Sequence, residues 1–481
     1  MIFIIRAADK FSTTHRFAIL LTSLIIHLNC AKLIEVNTPK TSIDAKNVYT
    51  NDVTASAVLT GIYTTLSASN ITGTDLSAIG LTTGLSGDEL VLYGGSGDIR
   101  LRAYYQNNLK TITSYNDFWS TIYKEIYILN LSLEGLTSST TLTPSIKQQL
   151  LGEVKFMRAL CYFYLVNLYG DVPLVLSTDY TINNILHRNS KEVIWTQIIS
   201  DLKEAKSLLS SDYLDGTLLN KTTERVRPTK WSAAALLARS YLYIKDWKNA
   251  EVQSTEIINN SIEFNLDSLN RTFLLNSHEA IWQLQPVNIG SNTEDAKIYI
   301  LTTAGPTVDK PVFLSPQLLN SFEINDQRKK IWIDTVTSSG ILYHYAHKYK
   351  SGTLDAPLTE YNCVFRLGEQ YLIRAEARAQ QNNIKDSRND LNSIRMRAGL
   401  NGSTINEKEP LLDAIYRERQ VELFTEWGHR WFDIKRTEKV NTIMANVTPS
   451  KGGSWSSNWQ LLPVPSYDIL VNGNLTQNAG Y

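Results

Sequence analysis

The sequence predicts a mainly α-helical protein, with about four helical hairpins interrupted by two long insertions of turns and short strands. Three observations carry this. Between 231 and 258, Ala238, Tyr241, Trp247, Ala250 and Ile257 recur at helix-compatible intervals, with small residues twelve apart around an aromatic. Between 371 and 400 the pattern returns: superimposing Ala375 on Ala238 puts Ser387 on Ala250 and Ile394 on Ile257. Third, 67–115 and 264–364 carry few helix signals and are rich in turn residues and strand formers.

At the N-terminus, Arg6, Lys10 and Arg16 precede an apolar run over 17–26, and Cys30 follows. A basic stretch, an apolar run too short to span a bilayer and a cysteine read as a secretory signal over 1–29 that ends in lipidation of Cys30. His27 and Asn29 stand where such signals usually place an apolar and a small residue. Residues 30–50 then form an extended tether. No other segment approaches about 18 consecutive apolar residues, so the anchor is the expected membrane attachment.

From 51 to 481 we expect a single domain. Its hairpins fall near 52–133, 144–209, 229–260 and 366–398. The first joins 52–66 to 116–133, where Trp119, Tyr123, Ile126 and Asn130 form a stripe. The second joins 144–169 to 192–209, with Ala159, Tyr162, Leu165 and Val166 inward. Small residues twelve apart are what a tetratricopeptide helix pair needs where its helices touch. Such units stack only on neighbours, which leaves the insertions free to build a binding face.

The first insertion carries the turn Tyr93-Gly94-Gly95-Ser96-Gly97 and the adjacent carboxylates Asp88 and Glu89. Paired carboxylates suit the neighbouring hydroxyls of a saccharide. Asp88 is equally placed to cap the next element or to pair with Arg100 or Arg102. Tyr93, Tyr104 and Tyr105 offer flat rings for stacking. In the second insertion, Tyr343, Tyr345, His347 and Tyr349 alternate onto one strand face, and Trp332 points away from Ile331 and Ile333. We take Trp332, Tyr343 and Tyr345 as ligand contacts, although a covered sheet face would look the same. Trp119 and Trp282 sit in core-like patterns and read as structural.

With 47 basic and 47 acidic residues the net charge is zero, which excludes the basic excess of a nucleic-acid binder. Cys161 and Cys363 sit among core-like residues, and no disulfide is expected. The chain has no HExxH, CxxC, G-x-S-x-G or phosphate-binding glycine loop, so no enzyme signature, metal site or cofactor is expected. A tetratricopeptide adaptor gripping peptides would explain the repeats but not the leader.

The most specific stretch is 417–436, RERQVELFTEWGHRWFDIKR. Leu412, Ile415, Leu423 and Trp427 keep a helical period through it, and Gly428 then breaks the helix. Charges this dense beside large aromatics imply partly buried ion pairs, because buried charges persist only with partners. The motif residues are Arg417, Glu418, Arg419, Glu422, Glu426, Gly428, Arg430, Phe432 and Asp433. The chain closes on Leu461-Leu462-Pro463-Val464-Pro465 and Gln477-Asn478-Ala479-Gly480-Tyr481. These strings resemble the SusD/RagB family, with Ala479 in place of the family's usual proline. Asp88-Glu89 resembles the segment that opens the ligand face in that family.

The resemblance implies a surface-exposed, lipid-anchored outer-membrane protein. It would capture oligosaccharides and act as the lid of a SusC-like TonB-dependent barrel. The same architecture also serves relatives that take peptides.

Overall fold

The computed structural model describes residues 48–68, 78–112 and 118–481. The leader, Cys30, nearly all of the tether, and residues 69–77 and 113–117 of the first insertion lie outside the described residues. Numbering helices of seven residues or more, the N-terminal part runs α1 (Asp52–Ser67), α2 (Ile79–Ser86), β1 (Leu90–Leu92), α3 (Ile99–Tyr105), α4 (Trp119–Ser138), α5 (Pro144–Tyr169), α6 (Lys191–Leu208), α7 (Lys230–Tyr243) and α8 (Trp247–Ile258). Strands β2 (Ala280–Leu284), β3 (Val312–Leu314), β4 (Ile333–Ser338), β5 (Ile341–Ala346) and β6 (Asn362–Arg366) follow. Helices α9 (Leu367–Gln380), α10 (Ile384–Arg397), α11 (Lys408–Glu422), α12 (His429–Arg436) and α13 (Val440–Ser450) complete the set.

The mainly helical class is as the sequence predicts. Helices α4 to α10 pack consecutively, each on the next, and α11 closes against α9 and α10. The small residues expected at the helix contacts are there: Ala238, Ala250, Ala375 and Ser387 are fully buried, as are Ile257 and Ile394. Where serine replaces alanine, its hydroxyl is satisfied by donating to the Ala375 carbonyl at 2.6 Å. Local signals set the helix ends. Thr229 and Ser232 form a capping box on α7. Pro144 opens α5, and Gly170, at φ +75°, ends it. One pairing differs from expectation. Helix α1 rests mainly on α5 rather than α4. The Tyr63 hydroxyl donates to Glu153 on α5 at 2.8 Å, and Asp52 accepts from the Thr143 hydroxyl just before α5 at 2.7 Å.

The strands form three antiparallel pairs: β1 with β3, β2 with β6, and β4 with β5. Strand β2 is buried throughout, and Trp282 is structural, its indole donating to the Val226 carbonyl at 3.0 Å. At the C-terminus the Gln477 amide donates to and accepts from the Val464 backbone at 2.8 and 2.7 Å. The Asn478 amide bonds the Leu462 and Tyr169 carbonyls. Side-chain amides thus stitch the tail to the Pro463-Val464-Pro465 turn. Cys161 and Cys363 are buried free thiols, and no described helix is long and apolar enough to cross a membrane.

The charged stretch 417–436 is built around buried ion pairs, as its composition implies. Arg366, at the end of β6, bonds Glu279 at 2.9 Å, Glu422 at 2.6 Å and Glu426 at 2.8 Å. Arg328 bonds Asp326 at 2.8 Å, Glu418 at 2.7 Å and Glu422 at 2.9 Å. Arg397 reaches Glu279 and Glu422, and Lys348 reaches Glu426. Arg419 pairs with Asp433 at 2.7 Å, Phe432 is buried, and only Arg417 faces solvent.

The helical period misleads at one point. Helix α11 stops at Glu422, so Leu423 and Trp427 lie in a turn in which Thr425, Trp427 and Gly428 have φ of 60°, 47° and 79°. That turn frees the Glu422 and Phe424 carbonyls, and the Lys348 ammonium takes both at 2.8 and 2.9 Å. The cation's demand for acceptors outweighs continued helix, since buried donors and acceptors must pair.

Candidate ligand face

The two insertions, far apart in sequence, meet at the β1–β3 pair. Leu90 opposes Leu314, Val91 opposes Phe313, and Leu92 opposes Val312. Side chains alternate across a strand, and here the outer members of both strands are buried while Val91 and Phe313 are half-exposed. Strand β5 packs beside β3, and the Tyr343 ring meets Phe313 edge-to-face at 5.0 Å. The result is an outward row of Val91, Phe313 and Tyr343 drawn from both insertions. Ile341 and Leu342, which precede Tyr343 on β5, are exposed.

Next to the row, the Tyr93 amide donates to the Pro311 carbonyl at 2.6 Å, and Ser96 N–H closes the glycine turn on the Tyr93 carbonyl at 2.9 Å. The Tyr93 ring lies over Gly95, where an added Cβ would fall 2.6 Å from a ring carbon. A side chain at 95 would therefore displace the Tyr93 ring from this position. Asp98 caps α3 through Leu101 N–H at 3.0 Å.

Several expected contacts lie elsewhere. Trp332 is fully buried, not exposed: its indole donates to the Leu269 carbonyl at 2.8 Å. Lys348, Arg397 and Arg366 lie over its ring at 5.0, 5.6 and 5.9 Å. It is a cation–π neighbour of the ion network, not a sugar platform. Asp88 and Glu89 are buried beneath the face. Asp88 makes a bidentate pair with Arg430, at 2.8 and 2.7 Å, and not with Arg100 or Arg102. Burial pushes the Asp88 carboxyl up, but the Arg430 guanidinium outweighs this and holds it below the usual range. Glu89 lacks such a partner and accepts only weakly from Thr425 N–H at 3.3 Å. Burial, then the neighbouring Asp88 charge, raises it to about 8.

Both residues anchor the first insertion to the 417–436 motif, which also explains why Arg430 belongs to that motif. Tyr104 is buried because α3 turns it inward with Leu101. Tyr105 is half-buried, with the Lys451 ammonium 5.2 Å over its ring. Tyr345 shares a strand face with Tyr343 but is buried, its hydroxyl donating to Asp334 at 3.2 Å and its ring edge-to-face with His347 at 5.9 Å. Of the expected contacts, Tyr93 and Tyr343 therefore remain on the face. Val91 and Phe313 are additions that three-residue strands did not announce. Among the described residues no group of three or more His, Cys, Asp or Glu is arranged to hold a metal.

Two family descriptions match the chain: the SusD family over 317–481, and "starch-binding associating with outer membrane" over 96–242. The first spans the ion-paired motif and the stitched tail, and the second spans α3 to α7.

Together these matches support a SusD/RagB family protein.

Its similarity extends along whole relatives. SusD-like protein P2 of Formosa agariphila is 25% identical, over 97% of this chain and 99% of that protein. SusD-like protein P25 of the same organism is 24% identical, over 76% and 80%. A SusD superfamily protein of Bacteroides vulgatus has the same fold, with TM-score 0.75 at 21% identity over 90% of this chain and 99% of that one. So does a laminarin-binding SusD-like protein, with TM-score 0.70 at 23% identity over 89% and 99%. The names in this set are those of SusD-like and binding proteins, not of enzymes.

Proposed function

We propose that this chain is a surface glycan-binding lipoprotein, and that oligosaccharide meets the outward row of Val91, Phe313 and Tyr343 with Tyr93 beside it. The observation that carries the reading is that row: aromatic faces half-open to solvent, held by two short strand pairs on a rigid helical scaffold. The starch-binding family description, with the printed name of the laminarin-binding neighbour, supports a glycan as the ligand class. The same description supports an outer-membrane address, with acylated Cys30 as the anchor and a SusC-like TonB-dependent barrel as the partner that this chain covers as a lid.

Affinity is expected to be modest, because stacking must offset desolvation and lost ligand freedom. Titrating the purified protein with laminarin, starch and other oligosaccharides tests the reading. Binding to one glycan class, reduced about tenfold, or about 1.4 kcal/mol, by Tyr343→Ala or Phe313→Ala in a folded protein, is the expected result. Silence across a broad panel, or binding indifferent to both substitutions, contradicts it. Co-purification with a large β-barrel, and release from membranes on Cys30→Ala, are the matching expectations for partner and anchor.

A further inference from the structure

Helix α12 carries three cations in its last seven residues, and they are treated differently. Arg430 is bidentate with Asp88. Arg436 bonds Glu376 at 2.6 and 2.7 Å and Asp433 at 2.7 Å. Lys435, between them in sequence, is half-buried; its ammonium donates to the Asn167 carbonyl and lies 5.9 and 5.7 Å from the Trp431 and Phe432 rings, but forms no salt bridge among the described residues. An ammonium has three donors, and a partly desolvated cation without an anion is costly unless something completes it.

What Lys435 opens onto is a cleft of about 380 Å³, within the range of small-ligand sites. The cleft is also lined by Lys191, Trp195, Asn458 and Gln460, and no Asp or Glu lines it. Lys191 is exposed and without a salt bridge among the described residues. Trp195 is half-exposed, and its ring is held edge-to-face by Phe163 at 5.7 Å and tilted against Tyr243 at 6.1 Å. Burial, then the Lys191 charge, lowers Lys435 to about 7; the Asp171 carboxylate, outside the lining, accepts from the Lys191 backbone N–H at 3.0 Å. Arg436 also lines the cleft, but its guanidinium is already committed to carboxylates.

We infer that this cleft is a second binding site, one for an acidic saccharide, whose carboxylate or sulfate group sits between Lys435 and Lys191 with a sugar ring against Trp195. The amides of Asn458 and Gln460 are placed to serve hydroxyls. The site shares no residue with the Val91–Phe313–Tyr343 row, so it stands or falls separately from the neutral-glycan reading.

The test is calorimetric titration of the full chain with tri-galacturonate, a sulfated trisaccharide, maltotriose and inorganic sulfate. Either acidic trisaccharide should bind, more weakly as salt rises, and maltotriose should not compete. Lys435→Met and Trp195→Ala should each weaken it about tenfold, and the surface change Lys191→Gln about threefold with folding untouched. Tyr343→Ala should leave it unchanged. The inference is overturned if neither acidic trisaccharide binds. It is equally overturned if affinity is the same in Lys191→Gln and Lys435→Met, if Tyr343→Ala alone abolishes binding, or if sulfate binds but no acidic saccharide does.

Discussion

Replacing Arg366 with methionine lowers folding stability by about 3–5 kcal/mol, the cost of removing one member of a buried ion network. The residue is buried, and its guanidinium contacts Glu279, Glu422 and Glu426, all buried themselves. Methionine fills much of the volume but leaves three carboxylates short of a cation in a region with little water. Arg397, Arg328 and Lys348 still pair with these same carboxylates, so no carboxylate is left bare but each loses one of its cations. Arg417→Met, on the exposed face of the same motif, is the control and should change stability by less than about 0.5 kcal/mol. Denaturant midpoints for the two variants measure this. A loss below about 1 kcal/mol in Arg366→Met would mean that water reaches the network.

The second large effect is a pH dependence set by Glu89. Its carboxyl is raised from 4.5 to about 8, chiefly by burial and next by Asp88. Between those values the folded state holds a proton that the unfolded state has released, so stability falls as pH rises through this window. The contribution is fully present below about pH 4.5 and lost above about 8. At about 1.4 kcal/mol per pH unit, Glu89 accounts for about 2–3 kcal/mol of lost stability between pH 5 and 7. Glu89→Gln keeps the neutral shape and should flatten the profile by that amount. Asp295, raised to about 7 by burial and the Glu426 charge, slopes the same way and remains in both proteins. Above pH 7, Lys451 and Lys348, lowered by burial to about 7 and 8, act with opposite sign, so the acid half of the window is the place to measure. Parallel profiles for wild type and Glu89→Gln would show that Glu89 is ionised in the fold.

The sequence made the scaffold legible because helix contacts are local. Ala238 with Ala250, and Ala375 with Ser387, are twelve residues apart and carry their packing requirement in their own size. Density of charge beside aromatics likewise disclosed that 417–436 is buried and paired. What stayed hidden depends on distant partners. Asp88 looked like a ligand-facing carboxylate because Arg430 lies 342 residues away. Trp332 looked exposed because Lys348, Arg366 and Arg397 come to its ring from three separate segments. Phe313 could not be singled out because a three-residue strand has almost no period of its own, and only its pairing with Val91 turns it outward. The end of α11 was misplaced for a related reason. Apolar spacing runs on through Trp427, while the carbonyls there are claimed by Lys348.

The central claim is that two insertions meeting at β1–β3 form the glycan face. Hydrogen–deuterium exchange of the full chain with and without a saturating oligosaccharide tests it most directly. Protection confined to 90–93, 302–314 and 341–344, and absent in Phe313→Ala, is the predicted result. Protection confined to the helical hairpins, with these three segments unchanged on a ligand that demonstrably binds, would contradict it.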